Sequence, residues 1–236
     1  MNSAGMPWKN LSYVSEDTVV LELHNIAEKD TTGRLALAIN RLKRDRPEWL
    51  IDVTAGFGKL MVHYRPEIIE PKALPALLSK FLTSGPIEPD TAPLQGIVEL
   101  PVCYDPRVAP DIESVASQLG LSVSEVSQLH CQETYTVLAV GFALGFAYMG
   151  DLPKALNVPR KTTPATRVAA GSVAIAGSQT TIYPTETPGG WHLIGMCPKQ
   201  LVERGTTIKV TLPIGSRARF KPISYPAFKN LEPSYS

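Results

Sequence analysis

The chain has 236 residues, of which 44% are apolar and 19% charged. That composition is of a globular protein, with no run near the roughly 18 unbroken apolar residues of a membrane span. The formal net charge of +1 arises from interspersed acids and bases, which gives no broad attraction for nucleic acid or an anionic membrane. Length favours two domains over one.

The N-terminal run MNSAGMPWKNLSYVSEDT lacks a basic start followed by an apolar core, so a secretory signal is not expected and a cytoplasmic location is. Three cysteines, Cys103, Cys131 and Cys197, and four histidines, His24, His63, His130 and His192, form no metal-ligand spacing. Reduced structural thiols and no protein-held metal are the expectation.

In chain order, residues 18–23 (TVVLEL) read as a strand. The triplet Asp30, Thr31, Thr32 offers N-cap side chains. After it, Leu35, Ala38, Ile39 and Leu42 repeat at helical spacing, up to Pro47. Residues 49–54 and 59–64 read as strands. Pro71 opens a second helix carrying Leu74, Leu77, Leu78 and Phe81. With a further strand at 97–103, this β-α-β-β-α order predicts a small α/β sandwich of ferredoxin-like type. The proline-rich run SGPIEPDTAPLQ (84–95) reads as a linker. It sets the expected boundaries at 1–92 for a small α/β domain, 93–225 for a second domain and 226–236 for a surface tail.

Helical spacing of Ile112, Val115, Ala116 and Leu119, then Gly120, then a capping box from Ser122 to Glu125, outlines a helix-turn-helix. Between Asp111 and His130 the charged groups are Asp111, Glu113 and Glu125. A DNA reader needs cations there to neutralise phosphates, so a structural helix pair is expected instead. Runs at 135–140, 172–176, 179–183, 192–195, 207–212 and 217–220 read as short strands between Gly/Pro turns, the pattern of a sandwich or closed barrel.

Most of the informative residues fall within 141–198, where Phe142, Phe146, Tyr148, Tyr183 and Trp191 stand beside glycines and prolines. This suits a ligand face made of loops on a β framework; ordinary barrel turns account for it as well. Arg160, Lys161 and Arg167 sit in a proline-braced segment where they can hold phosphate or carboxylate, or be solvated only. Gly189 and Gly190 can aim backbone N–H groups at an anion. Gln179, Tyr183, Glu186, Trp191 and His192 add donors, acceptors and an aromatic wall, although Tyr183 and Trp191 equally suit plain packing. His192 can exchange a proton near neutral pH, or make a structural hydrogen bond. No P-loop, dinucleotide fingerprint, nucleophile elbow or triad is present in the sequence.

The ordered pieces GF-x-x-GFAYMG (141–150), PR (159–160), P-x-x-x-V-x-AGSVAIAG-x-QT-x-IYP-x-x-x-PGGW (164–191) and IG (194–195) resemble a known family. It contains the B subunit of the bacterial three-subunit 5-oxoprolinase, sensor-kinase inhibitor proteins and one half of the carboxyltransferase module of urea carboxylase. Its members are often labelled allophanate hydrolase subunit 1. The resemblance is strong over about residues 95–222 and looser before them. It implies an α+β protein, with a small α/β domain followed by a cyclophilin-like β-barrel. It also implies a hydrolase component that opens 5-oxo-L-proline to glutamate with ATP, Mg being the nucleotide's counterion. The implied partners are a homologous C subunit and a third hydrolase subunit, with the chain inactive alone.

The alternative is a non-enzymatic regulator that docks on a histidine kinase through Phe142, Leu144, Phe146, Tyr148 and Met149. A biotin-handling carboxyltransferase module is a weaker third reading. The chain departs from the family pattern at Leu144 (Pro), Ala165 (Arg), Ala169 (Pro), Met196 and Cys197 (a polar or basic residue, then Thr) and Ser216 (Asp). An arginine lost at Ala165 is a permanent planar cation that a neutral side chain does not replace.

Overall fold

A computed structural model describes residues 8–23, 29–83, 96–203, 206 and 209–231. The chain divides into two compact units, Met1–Gln95 and Gly96–Ser236.

In the first unit, β1 (Trp8–Ser15) and β2 (Thr18–Leu23) form a hairpin, α1 (Lys29–Asp45) follows, and β3 (Leu50–Gly56) and β4 (Lys59–Tyr64) form a second hairpin. A single 3-10 turn at Pro71–Ala73 leads into α2 (Leu74–Thr83). The strands pair antiparallel in the order β1-β2-β4-β3. Period-two burial in β2 and β4 turns Val19, Leu21, Leu60, Val62 and Tyr64 inward. The expected stripe Leu35, Ala38, Ile39 and Leu42 on α1 is buried, and on α2 the buried line is Leu74, Leu78 and Leu82.

The element order is ββαββα, which differs from the ferredoxin-like βαββαβ order expected. Two facts account for this. The edge place beside β2 is taken by β1, a strand that sequence reading missed because most of its residues are exposed and show no apolar alternation. The strand at 97–103, counted into that order although it lies past the expected boundary at 92, pairs inside the second unit. Helix α1 begins at Lys29, ahead of the Asp30–Thr32 triplet. The expected linker at 84–95 lies outside the described residues.

In the second unit, β5 (Ile97–Cys103) precedes α3 (Ile112–Leu119) and α4 (Val123–Gln132). Then come β6 (Tyr135–Val140), β7 (Ala147–Gly150), β8 (Ala165–Val168), β9 (Ser172–Ala176), β10 (Gln179–Ile182), β11 (Thr187–Gly189) and β12 (His192–Met196). The chain continues through β13 (Val202–Glu203), β14 (Lys209–Val210), β15 (Arg217–Ile223) and α5 (Tyr225–Leu231).

Seven strands run in the order β6-β15-β5-β12-β9-β10-β7, and β7 pairs back onto β6, so the sheet closes into a barrel. Closure removes the free edges an open sheet would expose. β15 and β5 are parallel, from Arg217 opposite Ile97 to Ile223 opposite Cys103, and the other ring pairs are antiparallel.

The interior holds Leu100, Val102, Tyr135, Val137, Met149, Ile175, Ile194 and Phe220, joined by Ile112, Val115, Ala116 and Val126 from α3 and α4. The helix pair is thus core structure. Gly120 ends α3 in the left-handed conformation, and the Ser122/Glu125 capping box opens α4. The tail expected from 226 begins as α5, with Phe228 buried and the Arg107 guanidinium 3.6 Å from the centre of the Tyr225 ring. Of the run expected as a strand at 207–212, residues 207 and 208 lie outside the described residues. No helix among the described residues is long and apolar enough to cross a membrane.

Candidate functional site

All five residues of β9 are buried, which a barrel strand achieves only when something covers its outer face. Val173 and Ile175 point into the barrel core; Ala174 and Ala176 join a second cluster with Phe146, Val168, Tyr183, Trp191 and Leu193. The cover is the β8–β11 ribbon, paired from Val168 opposite Thr187 to Ala165 opposite Gly189. Val168 packs in the cluster, and Ala165 packs against it. Sequence reading missed β7, β8, β11 and β13 because two to four residues between Gly/Pro turns carry too little periodicity.

Four of the singled-out aromatics meet here edge to face. Phe146 lies 4.9 Å from Tyr148, 5.2 Å from Tyr183 and 6.0 Å from Trp191, and Tyr148 lies 6.0 Å from Trp191, as ring centroids. Gly189 is required by this packing: a Cβ there would stand 2.2 Å from Tyr183 Oη. Burial raises the Tyr183 pKa, opposed by a hydrogen bond from the Trp191 backbone. The Arg160 guanidinium lies 5.8 Å from the Trp191 ring centre, within cation–π range.

The other basic residues are already committed. Lys161 Nζ pairs with Asp111 Oδ2, and the same oxygen accepts a 2.7 Å hydrogen bond from Leu193 N–H. Arg167 pairs with Glu186 at 2.7 Å, joining two residues that the sequence offers as separate candidates. Among the described residues, then, Arg160 alone of the three cations has no carboxylate partner. Gly190 turns its carbonyl to Lys161 N–H at 2.8 Å. His192 donates from Nε2 to Pro159 O at 2.9 Å, the structural role. Gln179 stands at the β9–β10 turn, four residues or about 13 Å of extended chain from Tyr183, and is not brought into the aromatic group.

The expected docking patch divides. Phe142 and Leu144 are 64% and 47% exposed, whereas Phe146 and Met149 are 2% and 0% exposed and belong to the two clusters; Tyr148 is half-buried. Asp111 is the site residue that sequence reading missed. Nothing local marks it, because its partners lie 50 and 82 residues downstream.

A second polar group lies inside the barrel. His130, fully buried on α4, meets Tyr104 Oη at 2.6 Å through Nδ1 and Thr180 Oγ1 at 2.8 Å through Nε2. Thr180 donates to Ala174 O and the Cys131 thiol donates to Tyr104 Oη. This fixes the tautomer: Nε2 carries the proton, and Nδ1 accepts from Tyr104. Burial pushes the His130 pKa down to about 3 and the Cys131 thiol up. The network ties α4 to β10, with His130 and Thr180 fully buried and Cys131 half-buried at its edge.

A closed seven-stranded barrel whose outer wall carries a β ribbon over a buried aromatic cluster, with Arg160 at its rim, is the class of protein these elements define. The fold is shared with Kluyveromyces lactis urea carboxylase, whose structure superposes with a TM-score of 0.65 at 13% identity, over 96% of this chain and 24% of that one. Residues 9–211 match the carboxyltransferase domain, subdomain C and D, and the chain belongs to that family. It is 35% identical over 210 residues to the 5-oxoprolinase B subunit of Escherichia coli O157:H7, spanning 89% of this chain and 94% of the relative. A crystal structure of TTHA0988 superposes with a TM-score of 0.75 at 35% identity over 87% of this chain; the match spans 40% of that longer protein.

Proposed function

We propose that the chain is the B subunit of an ATP-dependent 5-oxoprolinase, a cytoplasmic hydrolase complex that opens 5-oxo-L-proline to L-glutamate with a homologous C subunit and a third subunit. One observation carries the reading: the exposed Arg160 guanidinium lies 5.8 Å from the Trp191 ring centre, at the rim of the buried aromatic cluster and beside the Gly189–Gly190 turn, and sets there a single cation without a carboxylate partner among the described residues. That combination suits a small cyclic amide bearing one carboxylate. The near full-length similarity to 5-oxoprolinase B subunits supports it.

Ring opening requires water to add at the amide carbonyl and the C–N bond to break. On this face His192, the side chain best suited to proton transfer, spends Nε2 on Pro159 O. Its residues therefore bind and orient, and the chemistry falls to a site shared with other subunits. The implied ATP does not fit the described cations alone. A triphosphate carries several negative charges, while Lys161 and Arg167 are paired with Asp111 and Glu186, which leaves Arg160 as the one cation of the three without a carboxylate partner among the described residues. Its phosphates and their Mg would draw on cations of another chain.

Co-expression with the cognate subunits, followed by measurement of 5-oxo-L-proline-dependent ADP and glutamate release, tests this reading. Release is expected to vanish without the chain, and Trp191→Ala is expected to raise KM for 5-oxo-L-proline. Turnover undiminished by omitting the chain would reject it. A kinase-docking role is the second reading, and exposed Phe142 and Leu144 are the observation that favours it.

A further inference from the structure

We propose that Asp111 and Lys161 form a strut that positions Arg160, and that Lys161 is not itself an anion ligand. The inference rests on the proposed binding face.

Arg160 is held on both sides. Before it, Pro159 O accepts from His192 Nε2 at 2.9 Å; after it, Lys161 N–H donates to Gly190 O at 2.8 Å. The Lys161 side chain then reaches Asp111, which is clamped to β12 in two ways: its N–H donates to Leu193 O at 3.0 Å, and its Oδ2 accepts from Leu193 N–H at 2.7 Å. The start of α3, the loop at 159–161 and β12 are thereby joined around one carboxylate, and the free end of the arrangement is the guanidinium over Trp191. The pair is 21% and 18% exposed, so water screens it far less than it screens the open Arg167–Glu186 pair, which is 78% and 49% exposed.

Lys161 keeps spare N–H donors, but its charge is already offset by Asp111, so it adds little net attraction for an anion while the pair holds. The strut is electrically neutral. It leaves the charge of Arg160, enough to balance one carboxylate and too little to balance a polyphosphate.

The two roles for Lys161 predict opposite signs for one substitution. Asp111→Asn removes the charge yet keeps an oxygen that can accept from Leu193 N–H. If Lys161 were a ligand, losing the nearby carboxylate would strengthen anion binding. If the pair is a strut, Asp111→Asn weakens it, as Lys161→Met does, while Lys161→Arg keeps the ion pair. Isothermal titration of the full chain with 5-oxo-L-proline, and separately with inorganic triphosphate, reads this directly.

The expected result is a Kd for 5-oxo-L-proline raised about tenfold or more by Asp111→Asn and by Lys161→Met, a Kd within a few-fold of wild type for Lys161→Arg, and weaker binding of triphosphate than of 5-oxo-L-proline by the wild type. Tighter or unchanged binding by Asp111→Asn overturns the strut, and so does unchanged binding by Lys161→Met. Triphosphate bound more tightly than 5-oxo-L-proline overturns the monoanion preference.

If the wild-type chain binds no 5-oxo-L-proline by itself, the binding face of the proposed function fails for the isolated chain, and the complex assay alone judges that reading. The strut is then judged by the Trp191 indole N–H resonance, assigned with Trp191→Phe, because the guanidinium lies against that ring. A resonance that moves in Asp111→Asn in the direction set by Arg160→Ala upholds the strut, and one that stays at the wild-type position overturns it.

Discussion

Tyr104 and His130 meet at 2.6 Å inside the barrel, phenol to imidazole, with the far ring nitrogen on Thr180 and the imidazole stacked 4.3 Å from Phe220. Every polar atom of the histidine is used, and its ring fills core volume. The consequence is a pH-dependent stability with a defined sign. The folded-state pKa is about 3, and an unfolded histidine titrates near 6.5. Between those values the unfolded chain binds more protons. The contribution is therefore fully present above pH 6.5 and lost as pH falls through the window, at up to about 1.4 kcal/mol per pH unit. Urea unfolding of wild type and His130→Gln between pH 7 and 4 is expected to show the steeper decline in wild type. Parallel declines would show that another group is responsible.

Gly189 lies against the Tyr183 ring, so Gly189→Ala forces the aromatic cluster apart. The nearest atoms to a new Cβ would be Tyr183 Oη at 2.2 Å and Cζ at 2.8 Å. Thermal unfolding is expected to show a loss of about 1–3 kcal/mol. Adding Tyr183→Phe deletes the nearest atom and is expected to restore part of that loss. Equal melting of the single and double variants would mean that the ribbon, and not the ring, gives way.

Phe142 adopts a left-handed φ of 72°, which a bulky side chain occupies at a cost of about 1–2 kcal/mol. Its ring contacts Phe146 edge to face at 5.2 Å, which offsets part of that cost. Phe142→Gly relieves the backbone and loses the contact, so its melting temperature is expected to stay near wild type. If Phe142 and Leu144 serve a partner, Phe142→Gly with Leu144→Ser lowers co-purification with that partner at unchanged stability. Undiminished assembly would remove this loop from the interface.

At the start of α4, Ser122 Oγ accepts from Glu125 N–H at 3.2 Å, and the Glu125 carboxylate accepts from Ser122 N–H at 2.7 Å. Ser122→Ala is expected to cost about 1 kcal/mol in chemical unfolding. Because α4 carries His130, the loss should spread to the barrel and appear as one cooperative transition. An unchanged midpoint would show that the cap is dispensable.

Local chemistry determined a good part of this protein. The amphipathic stripes of α1 and α3, the Ser122 box, the strands at 18–23, 59–64, 97–103, 135–140 and 172–176 and the grouping of aromatics near 141–198 follow from side-chain period and turn residues, which act over a few positions. The family resemblance rests on the same ordered motifs. Tertiary structure alone decided partnership. Strand 97–103 found its partners β15 and β12 in the barrel because pairing is a non-local choice; the ten residues of α4 brought His130 to Thr180, 50 positions on. The basic residues of 160–167 are in large part neutralised by Asp111 and Glu186, and charge pairing depends on distance in space rather than in sequence. That is why a cluster of three cations in the sequence becomes, in the fold, one open arginine over one tryptophan.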